Sequence, residues 1–262
     1  MPAITNIEFR QFSANHHNAQ RNWLILKLNT DDPNYYGLGD ASPMEDDDQV
    51  KALATNFVEK YLKGKDPLES EVHWTNIYQD RQARGGRLAT TALSGIDIAL
   101  WDLKGRLLDM PVWKLLGGAH RKKIRVYANG WYTNPGTPKQ NAEEAKVVAD
   151  MGYTALKFDP FAQKNYYKIS LKEAQLAEER VAAVRKAVGQ NIDILIEAHA
   201  KFNVMNAIQL GKRMEQYLPL FYEEPVSQER ISELLEVRNK VNIPIATGER
   251  LYTKFPFAEI VE

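Results

Sequence analysis

Three short apolar runs end in acid: Leu195-Ile196-Glu197-Ala198-His199, Phe221-Tyr222-Glu223-Glu224-Pro225 and Ile245-Ala246-Thr247-Gly248-Glu249. Glu197 and Glu223 are 26 positions apart, as are Glu223 and Glu249, and a helix-sized segment fills each interval. That is the rhythm of consecutive βα units with one carboxylate at the C-terminal end of each parallel strand. Parallel strands covered on both faces read as apolar runs, and ligands gather where such strands end. Three converging carboxylates, with no cationic partner supplied nearby, repel one another. A hard divalent cation relieves that repulsion, and an all-oxygen donor set favours Mg²⁺ over zinc or copper. A single strand-end glutamate is more simply a solvated residue; it is the equal spacing of three that singles out a site. Side chains alternate along a strand, so Glu197 and His199 are expected to share a face, which puts an imidazole beside the cation.

Composition narrows the classes of function. The chain has 262 residues and a formal net charge of +0, which bounds it to one large domain or two modest ones. Zero net charge gives no argument for nucleic acid or an anionic membrane. There is no cysteine, hence no disulfide framework and no thiolate chemistry. No apolar run approaches the ~18 residues of a spanning helix and no leader-like segment opens the chain, so the cytoplasm is the expected location.

The elements that must position these residues follow from periodicity. Residues 4–12 and 23–30 alternate apolar and polar residues, as half-buried antiparallel strands do, with the polar loop Asn15-His16-His17-Asn18 between them. Tyr36 to Ser42 reads as a third strand. Glu45-Asp46-Asp47-Asp48 suits the positive N-terminal end of a helix through Leu62. Another helix follows Asp66-Pro67, and a long one runs from Ala89 to Leu108 with Ala92, Ile96, Ala99, Leu100 and Leu103 on one face. The short helix Pro111 to Leu116 is closed by Gly117-Gly118. At Arg121-Lys122-Lys123 the pattern changes to alternating β and α, dividing the chain into residues 1–120 and 121–262. Strands are expected at 124–128, 154–159, 192–198, 220–224 and 243–247, with helices between them and a last helix near Pro256. A closed (β/α)₈ barrel takes at least ~200 residues, whereas Arg121 to Glu262 is 142. Five strands fit. An open parallel sheet leaves an exposed edge, so the barrel reads as cut short.

The run Ala92-Leu93-Ser94-Gly95-Ile96-Asp97-Ile98-Ala99-Leu100-Trp101-Asp102, then Lys104-Gly105 and Pro111-Val112-Trp113-Lys114-Leu115-Leu116-Gly117-Gly118, resembles the signature of the mandelate racemase / muconate lactonizing group of the enolase superfamily. Gly152 to Lys157, Glu223-Glu224-Pro225 and Gly248-Glu249 follow in that family's order. The resemblance covers the whole chain. It implies an α+β N-terminal capping domain followed by an enolase-type (β/α)₇β TIM-like barrel, here truncated after about five strands, with the 13–22 loop of the cap closing over the substrate.

The resemblance also implies roles. Glu197, Glu223 and Glu249 fall on the three Mg²⁺ ligands, Glu197 standing where Asp is more common. Glu224 falls on a position that supports them. His199, two residues past the first ligand, resembles the acid of the acid-sugar dehydratases such as galactonate dehydratase. Racemases carry Lys-x-Lys on the second barrel strand; here the motif is Lys157-Phe158-Asp159, so the usual base is absent. Lys157 is left either as a positive charge near the substrate carboxylate or as the partner of Asp159 in a salt bridge. Asp159, His16 and Trp131 are the candidate substrate contacts. The subgroup's base is a His–Asp pair on later strands, outside the sequence. The implied activity is Mg²⁺-dependent dehydration of a sugar acid, in a homo-oligomer whose partner is a small carboxylate. A truncated, catalytically silent metal-binding remnant is one alternative; a racemase or cycloisomerase is another, disfavoured by Asp159 and His199.

Overall fold

A computed structural model describes residues 1–16, 19–43, 45–80, 86–161 and 167–262, with only the backbone at 15, 16 and 19–21. The chain divides into two compact units, Met1–Lys122 and Lys123–Glu262.

In the first unit, β1 (Ile4–His16), β2 (Ala19–Thr30) and β3 (Tyr36–Asp40) form an antiparallel sheet in that order. Alternation along β2 buries Leu24, Leu26 and Leu28 completely, the inward face of a half-covered strand. The loop expected across 13–22 is instead mostly a ribbon. β1 and β2 stay in register out to His16 and Ala19, and the Ser13 hydroxyl donates to Asn22 Oδ1 at 2.8 Å. Polar sequence does not prevent a strand where the ladder satisfies the backbone. Residues 17 and 18 of the expected loop lie outside the described residues.

Among the described residues four helices follow: α1 (Asp47–Phe57), which runs into a π-turn at Val58–Leu62, α2 (Ser70–Gln79), α3 (Arg87–Leu107) and α4 (Val112–Leu115). Asp47 and Asp48 occupy the first turn of α1, where carboxylates favour the helix dipole. α3 buries Ala92, Ile96, Ala99, Leu100 and Leu103. Its backbone lies so close to β3 that a Cβ on Gly37 or Gly39 would collide with the carbonyl oxygens of Ala99 and Gly95. Gly95 in turn faces Ala41 and Leu26. The pairing is fixed by a further bond, Leu38 N–H to Asp102 Oδ2 at 2.9 Å.

In the second unit, β4 (Ala155–Phe158), β5 (Asp193–Glu197), β6 (Phe221–Glu223) and β7 (Ile245–Ala246) form a parallel sheet in sequence order. They alternate with α5 (Pro138–Asp150), α6 (Leu171–Val188), α7 (Val204–Met214), α8 (Ile231–Lys240) and α9 (Lys254–Val261). α5 and α6 each begin with a complete capping box, Thr137 with Gln140 and Ser170 with Glu173, which satisfies two otherwise unpaired amide groups per helix. The core is built from the strand faces Leu156, Phe158, Ile194, Ile196 and Tyr222 against apolar residues of the helices. The expected strand at 124–128 is corrected. Only Ala128 enters the ladder, through a single bridge to Leu156, while Ile124 and Val126 are 80% and 63% exposed. Within that run the Arg125 side chain bonds the Thr154 carbonyl and hydroxyl and pairs with Asp193.

Gly95→Leu therefore unfolds the first unit more easily. Overpacking of a filled contact costs about 1–3 kcal/mol, read as a lowered urea midpoint; an unchanged midpoint would contradict the close α3–β3 contact.

Candidate active site

Strand alternation and parallel register bring Lys157 of β4, Glu197 of β5 and Glu223 of β6 to one face at the C-terminal ends of the sheet. The Lys157 ammonium lies 2.6 Å from Glu197 Oε2 and 2.5 Å from Glu223 Oε2. These side chains are 7%, 2% and 13% exposed, so the cluster is dry. Burial pulls Lys157 toward neutrality, but the hydrogen bonds to Glu197 and Glu223 outweigh it and hold the ammonium above the ordinary lysine range. Glu223 lies above the ordinary carboxylate range because of burial first, reinforced by the charges of Glu197 and Glu249 and opposed by Lys157. The premise that the acids lack a cationic partner is corrected: Lys157 is that partner, contributed by the neighbouring strand.

Lys157 does not pair with Asp159. Asp159, just past β4 and 3% exposed, takes Lys201 Nζ in a short contact and His199 Nδ1 at 2.9 Å, both on Oδ2. Its Oδ1 accepts the Phe161 amide at 2.8 Å. The Tyr132 hydroxyl is pushed up to about 12, by burial first and by the Asp159 charge second, and so adds no anion.

β5 ends at Glu197, so strand alternation does not reach His199. His199 and Ala200 instead adopt left-handed backbone, φ 50 and 55. The His199 amide donates to Glu197 Oε1 at 2.8 Å, so the imidazole stays close to the acid by a turn rather than by strand alternation. Glu224, 1% exposed and also left-handed with φ 42, pairs with Arg250, which also takes Glu249.

Among the described residues no three carboxylate or imidazole groups converge closely enough to hold an ion. Lys157 stands between two of the three expected ligands, and the third, Glu249, turns to Arg250. The chemistry of the donors nevertheless suits a hard cation. In the ion pairs at the ends of β5, β6 and β7, four carboxylates (Glu197, Glu223, Glu224, Glu249) meet two cations (Lys157, Arg250). The excess of two negative charges on oxygen donors is what a divalent ion balances.

Two further expected substrate contacts are Trp131 and His16. The Trp131 ring packs on Phe158 at 5.5 Å and on Tyr132 at 5.4 Å, and its Nε1 is buried with no hydrogen-bond partner among the described residues. Its ring thus packs against the core cluster of the second unit. His16 is the last residue of β1, and its side chain lies outside the described residues. Lys201 and Arg250 were not legible as site residues. The signal that could have found them is general: a buried carboxylate such as Asp159 or Glu224 requires a cation.

Residues 8–117 match the mandelate racemase / muconate lactonizing enzyme, N-terminal domain, and residues 140–262 match the enolase C-terminal domain-like family. A member of the enolase superfamily from Salmonella Typhimurium superposes with TM-score 0.90 at 31% identity, over 100% of this chain and 71% of that one. A mandelate racemase/muconate lactonizing enzyme from Sulfitobacter sp. superposes with TM-score 0.89 at 29% identity, over 100% of this chain and 69% of that one. The chain belongs to the mandelate racemase / muconate lactonizing enzyme group of the enolase superfamily. It is 47% identical over 189 residues to a D-gluconate dehydratase of Thermoproteus tenax, covering 72% of this chain and 38% of that protein. It is 37% identical over 239 residues to a D-gluconate/D-galactonate dehydratase of Picrophilus torridus, covering 91% of this chain and 60% of that protein. The chain thus spans less than two thirds of the length of these relatives. No helix among the described residues is long and apolar enough to cross a membrane.

Lys157→Met leaves Glu197 and Glu223 buried against each other without a counter-charge. Breaking a buried ion cluster by removing one partner costs roughly 3–5 kcal/mol. Urea unfolding in a metal-free buffer reads this directly; a loss below about 1 kcal/mol, the size expected of an exposed pair, would contradict the dry cluster.

Proposed function

We infer that the protein is a Mg²⁺-dependent dehydratase of a sugar acid of the aldonate or uronate type, converting it to a 2-keto-3-deoxy acid. The observation that carries this reading is His199. Its imidazole is anchored through Nδ1, its side chain is 42% exposed, and its amide bonds the same Glu197 carboxylate that Lys157 contacts. An acid group beside a carboxylate cluster is what β-elimination next to a carboxylate requires. The dehydratase names of the two relatives support the same reaction class.

Glu197, Glu223 and Glu249 would hold the ion, with Glu224 and Arg250 bracing Glu249. Bound Mg²⁺ supplies fixed positive charge against the anion that develops when the proton α to a carboxylate leaves. Lys157, held as its ammonium, gives an anionic substrate a second positive contact and is unsuited to act as the base. Removal of the C2 proton by a separate base leaves its electron pair as the enediolate. That pair then forms the C2=C3 bond while the C3–O pair departs with oxygen. The protonated His199 gives its Nε2 proton to that oxygen, and water leaves. The resulting enol tautomerises to the ketone. Histidine suits the task because its ordinary pKa lies near neutral pH.

In this reading residues 1–120 form the capping domain and residues 121–262 carry the catalytic face of an enolase-type barrel, in a cytoplasmic homo-oligomer. A metal-binding but silent protein is the second reading, favoured by the turn of Glu249 toward Arg250. Turnover of any sugar acid by the 262-residue chain would exclude it.

His199→Asn is expected to lower kcat on D-gluconate at least ~100-fold, the scale of a lost general acid, while calorimetric Mg²⁺ affinity changes little. β-Elimination at the parental rate would remove His199 from the reaction. Mg²⁺ is also expected to raise the Tm of Lys157→Met by more than it raises that of the parent, because the ion then meets the carboxylates without a competing ammonium. Equal shifts would argue that the ion binds elsewhere.

A further inference from the structure

Asp159 stands where the superfamily's racemases place a base, yet its surroundings give it different work. Three donors converge on its two oxygens: the Phe161 amide on Oδ1 at 2.8 Å, and on Oδ2 the Lys201 ammonium, in a short contact, together with His199 Nδ1 at 2.9 Å. An amide and an ammonium can only donate. The carboxylate is therefore an acceptor toward both, and an acceptor-only group requires that His199 also present a donor, Nδ1–H. Asp159 is 1% exposed at its side chain and Lys201 is 4%, so neither is free to take another position. The backbone that carries the ring is held as well, since the His199 amide donates to Glu197 Oε1 at 2.8 Å from a left-handed conformation. Among the described residues Nε2 makes no hydrogen bond, and the His199 side chain is the exposed member of the group at 42%.

We propose that Asp159, braced by Lys201, is a positioning residue that fixes His199 in its Nδ1–H form and turns Nε2 outward as the atom that exchanges a proton with the substrate. The hydrogen bond made by one ring nitrogen decides which form the other takes. Histidine in water favours the opposite tautomer, so the neutral ring here is held in its less favoured form by the protein. Lys201 keeps the carboxylate in place without contacting the ring, offsetting the cost of burying Asp159 so close to the core. The functional side of this proposal rests on the reading of His199 as the acid of a dehydratase; the tautomer itself does not.

The test separates the two. The 262-residue protein is labelled with ¹⁵N-histidine, and His199 is assigned by loss of its signals in His199→Asn. Long-range ¹H–¹⁵N correlation at a pH where the ring is neutral is expected to show a protonated Nδ1 and an unprotonated Nε2. The Nε2–H form in the unmutated protein would overturn the proposal without recourse to any variant. Asp159→Asn is expected to move His199 toward the tautomer mixture of free histidine, whereas Lys201→Met keeps the Nδ1–H form because the Asp159–His199 bond remains. An unchanged tautomer in a folded Asp159→Asn protein would also overturn it. On D-gluconate, Asp159→Asn is expected to reduce kcat by about 10–100-fold, the scale commonly lost when the hydrogen-bonded partner of a functional histidine is removed, with KM within a few-fold, and Asp159→Glu to recover part of that loss. If His199→Asn leaves turnover intact while the unmutated protein shows the Nδ1–H form, the reading of His199 as the acid fails and the positioning of the ring stands.

Discussion

The site depends on a lysine ammonium sealed between two glutamates. Glu197 and Glu223 sit side by side on paired strands, and like charges about 4 Å apart repel by roughly 4 kcal/mol at an effective dielectric constant of 20. Lys157 converts that repulsion into two short ion pairs. The requirement reaches back into the fold. Lys157 comes from β4, the acids from β5 and β6, and only a parallel register in which all three side chains share a face lets them meet. A slip of one residue along β4 would turn Lys157 into the core and Phe158 toward the acids.

The segments that follow the strands are as constrained as the strands. His199, Ala200 and Glu224 all adopt positive φ, which costs on the order of 1–3 kcal/mol for each non-glycine residue. The strain is opposed by a local web. Ala198 N–H donates to Glu223 O at 3.0 Å, Ala200 N–H to Glu224 O at 2.8 Å and Glu224 N–H to Ala246 O at 2.9 Å. These bonds continue the sheet past its regular strands and hold two ionisable side chains, His199 and Glu224, at fixed angles. Glu224 is turned to Arg250 and His199 to Asp159. Rigidity at these turns is what allows an imidazole edge to be aimed, and aimed groups need little reorganisation during a reaction.

Much of this was legible in the residues, and the part that was not has a physical cause. The apolar runs ending at Glu197 and Glu223 are parallel strands because burial on both faces demands such sequences, and the i, i+3, i+4 face of α3 is buried as its spacing requires. Ile124 to Ala128 alternates apolar and polar residues yet contributes one bridge, because propensity is local and does not by itself pair a strand. Pairing was harder to read than placement. Lys157 and Asp159 alternate on one strand and invite a salt bridge between themselves. Each instead pairs across to the next strand or turn, Lys157 with Glu197 and Glu223, Asp159 with Lys201 and His199. Such partners lie 40 to 66 positions apart, beyond anything periodicity reports. His199 shows the same limit differently: its nearness to Glu197 follows from a left-handed turn that alternation does not describe.

The most direct test of the account is proton NMR of D-gluconate incubated in D₂O with the 262-residue protein and Mg²⁺. The account predicts loss of the C2 proton signal together with new signals at C3 of a 2-keto-3-deoxy acid, dependent on Mg²⁺ and abolished by a chelator. Deuterium appearing at C2 with no loss of water would contradict it and point to a racemase, and an unchanged spectrum would leave the carboxylate cluster as a binding site without the proposed chemistry.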